Sequence, residues 1–124
     1  MSKFQKMSEA EAEVMGIIWL LGGSVSFSAV LSELEDRNKD WKPNTVRTFL
    51  VRLVDKGLLA SKKQGWANEY TPLVSEAEYK SKEARSFLDA AYDGSAKKFM
   101  AALYEGDNLT AEEIEDLKKW FSQR

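Results

Sequence analysis

The sequence predicts a mainly α chain with one small β-hairpin, on three observations. Ser8-Glu-Ala-Glu11, Ser75-Glu-Ala-Glu78 and Thr110-Ala-Glu-Glu113 each set a hydroxyl three residues before a glutamate, the capping box that opens a helix. Apolar residues follow each box at helical spacing, and they do so again after Pro43. Only residues 58–73 read as two short extended segments around a turn, at Gln64-Gly65.

Residues 1–7 read as a frayed arm. Ser8 caps a first helix whose stripe is Val14, Ile17, Ile18 and Leu21, with Met15 and Trp19 beside it; Gly22-Gly23 ends it. Val25-Ser26-Phe27 is a short extended piece, placed to pair with a wing. Ser26 or Ser28 caps a second helix carrying Val30, Leu31 and Leu34, which fades in the polar run 35–40. Pro43 suits the first turn of a third helix, where its missing N–H costs nothing. Trp41, just before it, is expected to pack as a core aromatic.

The third helix organises the chain. Val46, Phe49, Leu50, Leu53 and Val54 form its buried stripe, and Gly57 closes it. At about 100° per residue, Asn44, Thr48, Val51 and Asp55 point the opposite way, flanked by Thr45, Arg47 and Arg52. A short helix with an anchored back and an Asn/Thr/Arg front suits a DNA major groove. In the hairpin, Leu59 and Tyr70 are apolar anchors, Lys62 and Lys63 lie near the tip, and Pro72 ends the second strand. Three helices followed by a basic hairpin make a winged helix-turn-helix.

After Leu73 come three amphipathic helices. The first carries Ala84, Phe87, Leu88, Ala91 and Tyr92 and stops at Asp93-Gly94. The second starts at Ser95 with Ala96, Phe99, Met100, Leu103 and Tyr104. The third follows Thr110 with Ile114, Leu117 and Phe121. They have little partner surface of their own. Apolar surface left exposed marks an interface, and two-fold self-association is its commonest solution. The fold class expected is therefore mainly α: a winged helix-turn-helix over residues 1–73 and a helical dimerisation region over 74–124. The dimerisation residues expected are Phe87, Leu88, Ala91, Phe99, Met100, Leu103, Tyr104, Ile114, Leu117 and Phe121.

Composition narrows the chemistry. The 124 residues contain no cysteine and no histidine. That excludes disulfides, thiolate and histidine metal sites, Ser-His-Asp triads and cysteine nucleophiles, and no metal or cofactor is expected. No acid/base constellation is visible, so an enzyme is not expected. No apolar run approaches the roughly 18–20 residues of a membrane span and no signal-peptide pattern is present, so the expected location is cytoplasmic. The net charge is −2, but residues 37–72 carry 8 basic and 3 acidic side chains, net +5, against −4 before and −3 after. The positive charge gathers where phosphate contacts would be needed.

The order and spacing of several pieces resemble the penicillinase-repressor (BlaI/MecI/CopY) family. These are Ser8-Glu-Ala-Glu-Ala-Glu-Val-Met-Gly-Ile-Ile-Trp19, Trp41-Lys-Pro-Asn-Thr-Val-Arg-Thr48 with Arg52-Leu-Val-Asp-Lys-Gly57, and Tyr70-Thr-Pro-Leu-Val-Ser-Glu-Ala-Glu-Tyr79. Phe87-Leu-Asp-Ala-Ala-Tyr-Asp-Gly-Ser95 and Leu109-Thr-Ala-Glu-Glu-Ile-Glu-Asp-Leu117 continue the match. The resemblance implies a homodimeric repressor on a pseudo-palindromic operator of double-stranded DNA, controlling β-lactamase, penicillin-binding-protein or copper-efflux genes. It carries Asn44, Thr45, Arg47 and Thr48 over as recognition-helix positions, Lys42 and Arg52 as phosphate contacts, and Lys62 and Lys63 as wing contacts. Copper-responsive members have a C-terminal Cys-x-Cys pattern, which is absent here. Antibiotic-responsive members are cleaved by a sensor protease at an Asn-Phe bond after the Gly-Ser turn; here that bond falls at Ala102-Leu103, and the Asn is gone.

Two rival readings follow from the residues. One is a winged-helix protein-interaction scaffold without DNA contact, which the acidic overall charge permits. The other is a regulator with a small-molecule pocket among the C-terminal helices near Trp120 and Tyr104.

Overall fold

A computed structural model describes residues 5–65 and 67–124, with Gln64 described in its backbone only. The elements run α1 (Glu9–Leu21), β1 (Val25–Ser26), α2 (Phe27–Asp36), α3 (Pro43–Asp55), β2 (Leu59–Gln64), β3 (Ala67–Pro72), α4 (Glu76–Ala91), α5 (Ala96–Glu105) and α6 (Ala111–Ser122). The chain is mainly helical, as its caps and stripes imply.

Those caps form. Ser8 and Glu11 exchange both hydrogen bonds of the box, as do Thr110 and Glu113. The Ser75 hydroxyl accepts from the Glu78 N–H at 3.1 Å. Of the two serines offered for α2, Ser26 caps it, accepting from the Ala29 N–H at 3.1 Å. Gly57, at φ 77°, ends α3: its N–H donates to the Val54 carbonyl and the Leu58 N–H donates to the Leu53 carbonyl at 3.0 Å. This paired closure needs a left-handed residue, which glycine adopts without strain.

The sheet is antiparallel in the order β1-β3-β2. Val25 pairs with Tyr70 and Ser26 with Glu69, so the short extended piece joins the wing as its sequence position suggested. Tyr70 also faces Ser61 across β2, which centres β3 in the sheet.

Contacts divide the chain into two compact units, residues up to Lys82 and Glu83–Arg124. In the first, Val14, Met15, Ile17, Ile18, Val30, Val46, Leu50, Leu53 and Leu59 are fully buried. Each contributes about 1.5–3 kcal/mol by leaving water. The division falls inside α4, not at 73/74, because the start of α4 belongs to this core. Tyr79 is buried, its hydroxyl accepts from the Met7 N–H at 2.8 Å, and its ring lies 6.0 Å from that of Trp19. The Trp19 indole N–H donates to the Val74 carbonyl at 3.0 Å.

Two local expectations change. Of the arm expected to fray, residues 1–4 lie outside the described residues, and Met7 is core. Leu21, which spacing puts in the α1 stripe, is exposed, because the last turn of α1 has run past the core. Trp41 does pack as expected: it is half-buried, meets Phe49 edge-on at 5.2 Å and lies against the core.

In residues 83–124 no side chain is buried among those described. Phe87, Tyr92 and Phe99 cluster with centroids 5.3–5.7 Å apart, and Arg85 ties Asp89 to the Gly94 carbonyl. Tyr104, Trp120 and Phe121 stand exposed. These helices are well capped but have no closed core.

Candidate nucleic-acid interface

The site is built on α3. Val46, Leu50 and Leu53 fix its back in the core, so Asn44, Thr45, Arg47, Thr48, Val51, Arg52 and Asp55 all lie exposed on the front and flanks. At about 100° per residue, Asn44, Thr48, Val51 and Asp55 fall within a roughly 60° arc, with Arg47 on one edge and Arg52 on the other. Pro43 is in the first turn, which holds no acidic residue, and Lys42 makes no side-chain cap. The positive end of the helix is therefore not neutralised locally.

The other end is pinned. Lys56, the C-cap residue, pairs with the carboxylate of Glu11 at the start of α1 and also donates to the Lys6 carbonyl at 2.8 Å. Glu11 is 2% exposed. Burial works against its charged form, but the hydrogen bonds from Lys56 and the Ser8 N–H, with the charges of Lys56 and Arg52, outweigh it. Its pKa lies below the ordinary carboxylate value. This pair fixes the end of α3 against α1 from 45 residues away.

Two polar side chains on the front are already committed. The Thr48 hydroxyl donates to the Asn44 carbonyl at 3.1 Å, one turn back on its own helix. The Arg47 guanidinium lies over the Phe27 ring, 4.1 Å from its centroid. Phe27, at the start of α2, thus gives Arg47 a shelf of about cation–π strength, roughly 0.5–1 kcal/mol at an exposed site.

The basic residues of 37–72 then sort into two groups. Among the described residues, Arg37 pairs with Glu33, Lys39 with Glu13 and Lys56 with Glu11. Lys42, Arg47, Arg52, Lys62 and Lys63 are exposed and have no ion pair there. The five unpaired cations lie on α3, at its entry and on the hairpin. Lys62 faces Glu69 across the ladder and Lys63 faces Asn68. Being consecutive in a strand, the two lysines point to opposite faces, so they do not make one patch.

Sequence reasoning left out two side chains of this surface. Phe27 falls by sequence in a short extended piece but opens α2, and nothing local signals its contact with Arg47. Val51 fell on the outward face by periodicity, yet its apolar character gave it no place among polar binding residues.

The second unit carries an open apolar groove of about 660 Å³, lined by Lys97, Met100, Ala101, Tyr104, Leu109, Ile114, Leu117, Lys118 and Phe121. Of the residues expected for dimerisation, Met100, Tyr104, Ile114, Leu117 and Phe121 meet here. Phe87 and Phe99 form the aromatic cluster instead, Leu88 and Leu103 are half-buried, and Ala91 is exposed. Tyr104 lines this groove, and Trp120 lines a smaller hollow of about 390 Å³ with Leu109, Glu113, Asp116 and Leu117. The Ala102-Leu103 bond lies within α5. No helix among the described residues is long and apolar enough to cross a membrane.

Comparison with known proteins agrees with this geometry. The family model described as Penicillinase repressor matches residues 7–123. The chain is 37% identical over 117 residues to the penicillinase repressor of Bacillus licheniformis, covering 94% of this chain and 90% of that one. It is 32% identical over 123 residues to the methicillin resistance regulatory protein MecI of Staphylococcus aureus, covering 99% and 98%. Among solved structures, the DNA-binding domain of the repressor BlaI superposes with a TM-score of 0.54 at 39% identity, over 64% of this chain and 94% of that one. The monomeric form of Bacillus licheniformis BlaI in complex with the blaP half-operator gives 0.51 at 38%, with the same coverage. The chain therefore belongs to the penicillinase repressor family, a family of transcriptional repressors and not of enzymes.

Proposed function

We propose that this chain represses transcription as a homodimer seated on a pseudo-palindromic operator, with α3 in the major groove and the β2–β3 hairpin on the flanking backbone. The observation that carries the reading is the segregation of charge. The cations of 37–72 away from this surface are paired, and the five on α3, at its entry and on the hairpin have no ion pair among the described residues and are left for DNA. A relative 38% identical is known in complex with a half-operator.

In this reading Asn44 pairs with an adenine edge and Arg47 with a guanine edge, each in bidentate fashion. Thr45, Lys42 and Arg52 hold phosphates beside the helix, and the Thr48 hydroxyl stays on its own backbone. Lys62 and Lys63 supply wing contacts on their separate faces.

Dimerisation is supported by the state of the second unit. Helices with no buried side chain and exposed Tyr104, Trp120 and Phe121 lack the core that a unit of this size needs to stand alone. A two-fold mate covers such surface on both partners at once. The regulated genes are then of the penicillinase or methicillin-resistance type, after the named relatives, and the site of action is cytoplasmic. Where antibiotic-responsive members are cleaved this chain lacks the Asn and the Ala102-Leu103 bond lies inside α5, so a sensor protease would need α5 to open before it could cut there.

The test is binding of the full chain to duplexes enriched from a random pool, followed by anisotropy at several salt concentrations. The four cations placed on phosphate, Lys42, Arg52, Lys62 and Lys63, predict a slope of log affinity against log salt of about −3 to −4 per protomer, with a defined sequence preferred. Failure to bind any duplex at low salt would overturn the reading in favour of a protein-binding scaffold.

A further inference from the structure

We propose that Val51 is a specificity residue that reads the C5-methyl group of thymine in the major groove. The inference rests on the DNA-reading role of α3 and adds to it a base contact of a different chemistry.

Val51 is 57% exposed in the middle of α3. It sits within about 20° of Asn44 around the helix and roughly 10 Å further along it, about three base-pair steps. The core accounts for the apolar residues on the back of α3, but not for this one. A single exposed apolar residue is ordinary on a protein surface. This one lies on the arc between Arg47 and Arg52, two exposed cations without an ion pair among the described residues. Its neighbours there are Asn44, Thr48 and Asp55, too polar a set to dock an apolar protein surface.

Of all the groups that base pairs present in the major groove, the thymine methyl is the one apolar feature. A valine in a helix has one strongly preferred rotamer, so it meets such a group with little loss of freedom. Thr48 extends the same surface. Its hydroxyl proton is spent on the Asn44 carbonyl, so it has no proton left to donate to a base edge, and its methyl can add to an apolar contact. Asn44 selecting adenine and Val51 selecting thymine together give the half-site at least two A·T pairs on the α3 face.

The experiment uses the full chain and a duplex it has selected from a random pool. Each thymine of the half-site is replaced in turn by deoxyuridine, which removes the methyl and leaves every hydrogen-bonding edge intact. Wild-type affinity is expected to fall about three- to fivefold at one or two thymines, the value of one buried methyl. Val51→Ala, an exposed change that leaves the core untouched, is expected to bind the thymine duplex about as weakly as wild type binds the deoxyuridine duplex, and no longer to distinguish the two. Equal wild-type affinity for both duplexes, or a full deoxyuridine penalty retained in Val51→Ala, overturns the assignment while leaving DNA binding standing. Selection of no duplex at all removes the parent reading, and this one with it.

Discussion

The two units are made of similar helices and end in opposite states. Each is opened by Ser or Thr capping boxes, and each carries apolar residues at helical spacing. Up to Lys82 the stripes of α1, α2 and α3 converge on the sheet and nine side chains become fully buried, none more than 1% exposed. From Glu83 onward no described side chain does. Caps and periodicity decide whether a helix forms; only convergence of the stripes decides whether it has a core. The first unit closes its own core, and the second leaves Tyr104, Trp120 and Phe121 exposed.

The sharpest way to break that contrast is to shorten one leucine in each unit. Leu50→Ala should cost about 3–5 kcal/mol in urea unfolding, since a fully buried leucine leaves both lost transfer energy and a cavity. Leu103→Ala, at a dilution where chains are single, should cost less than about 1 kcal/mol because its site is already half open to water. Equal costs would mean that the second unit has a closed core after all.

Next in size is the Glu11–Lys56 pair that anchors α3. Glu11→Gln should lower stability by about 2–3 kcal/mol, less than for a fully buried pair because Lys56 keeps contact with water. The sign of its pH dependence follows from the lowered pKa of Glu11. The stabilisation is present above the unfolded carboxylate value of about 4.3 and is lost as pH falls through it toward the lower folded value. Urea titrations from pH 7 to pH 3 should therefore show a steeper acid loss in the wild type than in Glu11→Gln.

Phe121→Asp tests the groove. Phe121 is 64% exposed in one protomer, so a lone chain should tolerate the change. A dimer should not: sedimentation velocity should show monomers, and affinity for a two-half-site duplex should drop about a hundredfold as the second half-site is no longer held nearby. Smaller effects are expected on the reading face. Arg47→Ala should cost about 1–3 kcal/mol of binding and relax preference at one base pair. Phe27→Leu should cost only about 0.5–1 kcal/mol, and at that same base pair, because it removes the shelf and keeps the guanidinium. Competition binding against single-base variants of the duplex reads both.

What was legible in the sequence was local. Capping boxes, the Gly57 closure and the apolar stripes act within a few residues, so α1 to α6 could be placed before their packing was known. The pairing of Val25-Ser26 with the wing was also foreseeable, since a winged helix leaves that strand one partner. What stayed hidden joins residues far apart in the chain. Glu11 read as half of a cap, and only the fold brings Lys56 to it. Met7 read as part of a loose arm, but Tyr79 draws it into the core and carries the first unit on into α4. On the candidate interface, periodicity chose the outward residues of α3. It could not say that Thr48 turns its hydroxyl inward or that Arg47 rests on Phe27.

The contrast between the units is tested most directly by amide hydrogen exchange of the full chain, resolved by segment, at nanomolar and at micromolar concentration. The account predicts that α1, α2, α3 and the sheet keep the same protection at both, while α5 and α6 are protected only when chains are concentrated enough to pair. Equal protection of α5 and α6 at both concentrations, in a chain that sediments as a monomer, would contradict it.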